Sequence, residues 1–181
     1  MASRTLTALS SIAALVLSAG CDGIGEISST KMTILDAAEV YAANQEAFAS
    51  IRGTYPGPFR DFARTPARNP ADQTREEDVF LKGLRQQFPV EYIDFFPLAD
   101  TGKDEIDVVL TRYGANARWT LVSLVYSEVP LPQPPDEQAD LAVFGECEPQ
   151  VLSWLEFQSK KGRAAAFCRI NQYWYAYQRI E

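Results

Sequence analysis

The sequence predicts an α+β domain in which N-terminal helices pack on one face of an antiparallel sheet, two layers in all. Three observations carry this. An apolar stripe at three- and four-residue steps runs between Met32 and Arg52. After Pro89 the apolar residues alternate two by two. The alternating runs are separated by short turns, Asp100-Thr101-Gly102-Lys103 and Gly114-Ala115-Asn116-Ala117.

The first helix is predicted over Met32–Arg52. Thr30 and Thr33 are both placed to cap it, and Asp36 lies near its positive end. Its stripe is Leu35, Ala38, Tyr41, Ala42, Gln45, Phe48, Ala49 and Arg52, widened by Ile34 and Ile51, with Gly53 as the stop. Residues 53–72 read as a loop, because Pro56, Pro58, Pro66 and Pro70 exclude regular structure. A second helix is expected over Gln73–Phe88. Thr74 and Glu77 have capping-box spacing, and Val79, Phe80, Leu84 and Phe88 form the expected buried face.

Val90–Phe96, a strand through Ile106, Val108 and Leu110, and Arg118–Ser127 then read as a three-stranded meander. Several of these strands are apolar on both faces, so helices are expected on one side and other chain over part of the other. Residues 129–138, with four prolines, form a stiff extended connection. Leu141–Phe144, Val151–Phe157 and Ala164–Ile180 complete the domain. Ser159-Lys160-Lys161-Gly162 suits a hairpin turn that would set Val151–Phe157 against Ala164–Ile170, although Val151, Leu152, Trp154 and Leu155 suit a short helix equally. Asn171 either bends the last strand or opens another turn.

Composition narrows the function. The chain has 181 residues, 46% apolar and 12% aromatic, the profile of one globular domain. It has no histidine, which removes the commonest general base and zinc ligand. A net charge of −7 argues against nucleic acid as a partner. No nucleotide, phosphate or metal motif is present, so no cofactor or metal is expected.

Residues 1–20 are a secretory leader: a cationic start at Arg4, an apolar run from Leu6 to Leu17, then small residues. Leu17-Ser18-Ala19-Gly20-Cys21 resembles the lipobox of bacterial lipoproteins. The resemblance covers residues 1–21 alone. It implies cleavage after Gly20, a diacylglycerol on Cys21, and stable membrane attachment through two or three acyl chains. It also implies a periplasm-facing location, with Asp22 after the cysteine favouring the inner membrane as in enterobacterial lipoproteins. Residues 21–30 are then the lipidated cysteine and its tether, and residues 31–181 a single domain.

Export places Cys147 and Cys168 where disulfides form. A structural bridge and two buried thiols are the alternatives, since no CxxC spacing or histidine supports a reactive thiolate. Tyr173, Tyr175 and Tyr177 share one face of the last strand with Arg179. Exposed, they would stack on glycan rings such as those of peptidoglycan; packed, they would cover neighbouring strands. Arg60, Arg64 and Arg68, within a basic stretch from Arg52 to Arg75, either meet anionic head groups or cell-wall carboxylates, or pair with the acidic segment Glu128–Glu148. Asp94, Asp104, Glu105 and Asp107 are the carboxylates a hydrolase would draw on, but no serine nucleophile motif accompanies them. The sequence therefore points to a non-catalytic binding or assembly role at the membrane surface, with an envelope protein or peptidoglycan as partner. A glycan- or lipid-binding lipoprotein and an envelope hydrolase are the alternatives.

Overall fold

The computed structural model describes residues 31–54, 63–65, 74–98, 103–115, 118–131 and 140–181. Residues 1–30, including Cys21, and Arg60 and Arg68 lie outside these residues. In chain order the elements are α1 (Ile34–Ala43), α2 (Gln45–Thr54), β1 (Ala63–Thr65), α3 (Arg75–Arg85), β2 (Tyr92–Leu98), β3 (Lys103–Ala115), β4 (Arg118–Ser127), β5 (Leu141–Phe144), α4 (Pro149–Ser159), β6 (Ala164–Arg169) and β7 (Trp174–Ile180). All seven strands form one sheet in the order β1-β2-β3-β4-β7-β6-β5, and the predicted α+β class is the one observed. No helix among the described residues is long and apolar enough to cross a membrane.

The expected capping box at Thr74 forms, and a second forms at Thr33. Thr33 and Asp36 cap α1 reciprocally, as Thr74 and Glu77 cap α3. The single helix expected over Met32–Arg52 is two, divided at Asn44, whose amide donates to the Val40 carbonyl at 2.8 Å. Asparagine competes for backbone groups in this way and interrupts helices. The apolar stripe conceals the break, because Ile34, Ala37, Tyr41, Phe48 and Ile51 remain buried along one line across it. That line is one residue out of step with the expected Leu35 and Ala38.

In α3 the buried positions are Leu81 and Leu84, continued by Phe88. Val79, expected inside, is 65% exposed. It stands two residues before Leu81, roughly 200° around the helix. The core joins these helices to the sheet. Phe48 stacks on Phe88 at 4.4 Å and meets the Trp174 ring edge-on at 5.3 Å, while Tyr41 lies 5.5 Å from Trp174.

The expected meander is β2-β3-β4, with Ile106, Val108, Leu110, Val122 and Leu124 all in the core. Two expectations are corrected. The proline-rich segment holds a short edge strand, β1, in its proline-free interval, where an edge tolerates flanking proline. Val151–Phe157 belongs to a helix, α4, not to a hairpin strand. Pro149 opens that helix, and Val151 and Leu155 bury one side of it. It carries the chain from β5 to β6, which pair in parallel and so need a crossover. Ala164, Ala166 and Cys168 are small enough on the inner face of β6 for α4 to lie close.

Asn171 opens a turn: its side-chain oxygen accepts from the Tyr173 and Trp174 backbone N–H groups, and β7 returns beside β6. A disulfide joins Cys147, in the β5–α4 connection, to Cys168 on β6.

Candidate functional site

The helices cover one face of the sheet. The register defines the other, and no described helix packs on it. One rung runs Arg64, Asp94, Asp107, Val125, Tyr175, Arg169 from edge strand inward and across. A second rung holds Val109, Ser123, Tyr177 and Phe167. A third holds Arg112, Leu121, Arg179, Ala165 and Leu141.

Asp94, Val125 and Tyr175, in the middle of the first rung, are closed to solvent. Asp94 is 5% exposed and Tyr175 2%. The segment after β4 folds over it: the Ser127 hydroxyl donates to the Val129 carbonyl at 2.7 Å, and the Leu131 N–H donates to the Tyr175 hydroxyl oxygen at 3.4 Å. Asp94 and Asp107 do sit directly opposite each other, but none of the described cavities is lined by either. Burial pushes the Glu105 carboxyl up from its ordinary value of 4.5. The Ser123 hydroxyl is buried and has no hydrogen-bond partner among the described residues.

The third rung and the edge of the second are open. Trp119 precedes Leu121 by two residues and so shares this face. The Arg112 guanidinium lies 4.5 Å from its ring centre and that of Arg179 5.4 Å, from opposite neighbouring strands. Gly114 makes this possible: its φ is +113°, and a Cβ there would meet the Arg118 carbonyl oxygen and the Trp119 Cα within 2.4 and 2.7 Å. Beside this group Phe167 stacks on Tyr177 with ring centres 4.4 Å apart. Burial first, and Asp107 after it, push the Tyr177 hydroxyl up to about 12, against the pull of Arg179.

Phe167, Tyr177 and Arg179 form the floor of a cavity of about 330 Å³, whose rim is Asp140, Leu141 and Arg163. Arg163 donates to Asp140 at 2.6 Å, and Arg179 pairs with Glu181. The arrangement is an aromatic platform edged by guanidinium and carboxylate groups. It can stack on a planar or ring-shaped group and hydrogen-bond its periphery.

The sequence-predicted residues are therefore dispersed. The exposed tyrosine row does not form: Tyr173 precedes β7 and is 42% exposed, Tyr175 is buried, and Tyr177 is half-buried in the platform. Alternation assigned Tyr175 and Tyr177 to one face correctly, while burial of Tyr175 depends on the segment through Leu131 that crosses it. Arg64 lies on β1 with its backbone opposite Asp94. Asp140, in the acidic segment, pairs with Arg163. Trp119, Arg112, Phe167 and Arg163 were not singled out by sequence. Alternation of Ala165, Phe167 and Arg169 against Ala164, Ala166 and Cys168 is the signal that marks Phe167 as facing away from the helices.

No family model, no curated protein and no solved structure matches this chain.

Proposed function

We propose that this chain is a lipid-anchored protein of a bacterial envelope that acts by binding, presenting the open end of the helix-free sheet face to a partner. The observation that carries the reading is the Trp119–Arg112–Arg179 group continuous with the Phe167–Tyr177 platform. Partly exposed aromatic rings flanked by arginine are the side chains that dominate the energetics of protein interfaces. Attachment through Cys21 would confine the search to a surface and raise the local concentration of a membrane-associated partner. A second reading, a glycan ligand, is favoured by the same platform lying beside the Asp140–Arg163 pair, which offers both acceptors and donors to sugar hydroxyls.

The test is photo-cross-linking in intact cells. Phe167 is replaced by a photo-reactive phenylalanine analogue, and Val79, exposed on α3, serves as the control position. Discrete adducts from position 167 and none from position 79 are expected. A protein-sized adduct supports the first reading, and an adduct released from the cell wall by muramidase supports the second. Equal adduct patterns from both positions, or none from either, overturn both. Radioactive fatty acid on Cys21 is the separate check of the anchor, and an unlabelled chain recovered in the aqueous fraction contradicts it.

A further inference from the structure

We propose that the end of the sheet where the described chain begins is a docking surface for an anionic lipid leaflet. The proposal rests on the lipid-anchor reading and adds to it an orientation. Lys31, Arg118, Lys160, Lys161 and Arg163 line one cleft of about 870 Å³. These five cations come from three separate parts of a chain whose net charge is −7. Glu156 takes up Lys160 and Asp140 takes up Arg163, while the Glu181 side chain in the cleft is held by Arg179. Lys31, Arg118 and Lys161 have no carboxylate partner among the described residues. Lys161 lies 4.1 Å above the ring of Phe157, which is 57% exposed at the same end. Lysine beside an exposed phenylalanine is a combination found on surfaces that lie at a membrane–water interface.

Two long-range hydrogen bonds determine where the chain enters. The buried Gln178 side chain accepts from the Ile34 N–H at 2.8 Å, and the Tyr113 hydroxyl donates to the Met32 carbonyl at 3.1 Å. Lys31 is thereby held at the cationic end. From Lys31 back to Cys21 the chain spans at most about 35 Å even when fully extended. An anchored chain must therefore keep this end within a few tens of ångströms of the leaflet, well placed for head-group contact. Basic side chains at an anionic surface each contribute about fivefold in affinity, and salt weakens that attraction. Arg163 also forms the rim of the aromatic cavity, so docking would set that cavity beside the head groups.

The full chain carrying Cys21→Ser removes the lipid and isolates the electrostatic contact. Its flotation is measured with vesicles of phosphatidylglycerol in phosphatidylcholine and of phosphatidylcholine alone. A leader that remains attached brings the charge of Arg4 with it, so the cleft's share is read from the substitutions within the cleft. Preferential flotation with phosphatidylglycerol vesicles, abolished by high salt, is expected. Arg118→Gln and Lys161→Gln, both at exposed positions, should each lower it about fivefold, with unchanged thermal unfolding. Equal flotation with both vesicles, or no effect of the double variant, overturns the proposal. So does co-sedimentation with purified peptidoglycan in place of phosphatidylglycerol vesicles. The fatty-acid label on the unsubstituted chain reports the anchor alone, so the two readings fail separately.

Discussion

The two faces of the sheet are built to different rules. On the helix side Val108, Val122, Leu124, Ala164, Ala166 and Trp174 are all buried, and the polar Gln178 among them is used to hold the start of α1. On the other side Asp94, Asp107, Ser123, Tyr177 and Arg179 interleave with Val109, Val125 and Phe167. Burying carboxylates and hydroxyls is costly unless each is satisfied, and the Ser123 hydroxyl finds no partner among the described residues. A face chosen for stability alone would resemble the first. The second carries groups that a fold does not need, which is why the binding reading is placed there.

That contrast can be broken most forcefully from the helix side. Phe48 is 1% exposed and touches the rings of Tyr41, Phe88 and Trp174. Phe48→Ala should cost about 3–5 kcal/mol in denaturant unfolding. A loss no larger than that of an exposed position would mean the helices are not the stabilising layer.

The next effect is that of the disulfide. Cys147 and Cys168 are 21 residues apart, and the loop they close should contribute about 3 kcal/mol. Reduction, or the Cys147→Ser/Cys168→Ser pair, should lower the unfolding midpoint correspondingly. An unchanged midpoint in reductant would show that the bridge adds nothing to β6 and its crossover.

The smallest effect sharpens the second face. Tyr177 ionises near 12 in the folded chain and near 10 when unfolded, so folding favours its neutral form. Its contribution is complete below pH 10 and is lost as pH rises from about 10 to 12. Tyr177→Phe should flatten the alkaline fall in melting temperature relative to the parent. Parallel curves would place Tyr177 in water.

Local features were legible in the sequence. The Thr33–Asp36 and Thr74–Glu77 caps and the β2-β3-β4 meander depend on neighbours within a few residues or on adjacent hairpins. Two-residue alternation in Arg118–Ser127 also puts Val122 and Leu124 on the opposite face from Trp119, Leu121 and Val125, as observed. What escaped depends on distant chain. Val151–Leu155 suits either element, and the parallel pairing of β5 with β6 decides for a helix. Tyr175 is hidden by a segment that follows a different strand, β4. The cationic cleft gathers residues 31, 118 and 160–163, none of them conspicuous in sequence, whereas the arginines from Arg52 to Arg75 stand out because they are contiguous.

Under the proposed function, the open part of the helix-free face is occupied in the envelope while the helix side is not. Hydroxyl-radical footprinting of the protein in intact cells, compared with the purified protein, measures this without any substitution. Protection of Trp119, Phe167 and Tyr177, with Val79 on α3 still labelled, is the predicted result, and leaflet docking adds Phe157 on α4 to the protected set. Equal labelling of Trp119, Phe167 and Tyr177 in cells and in solution would contradict it.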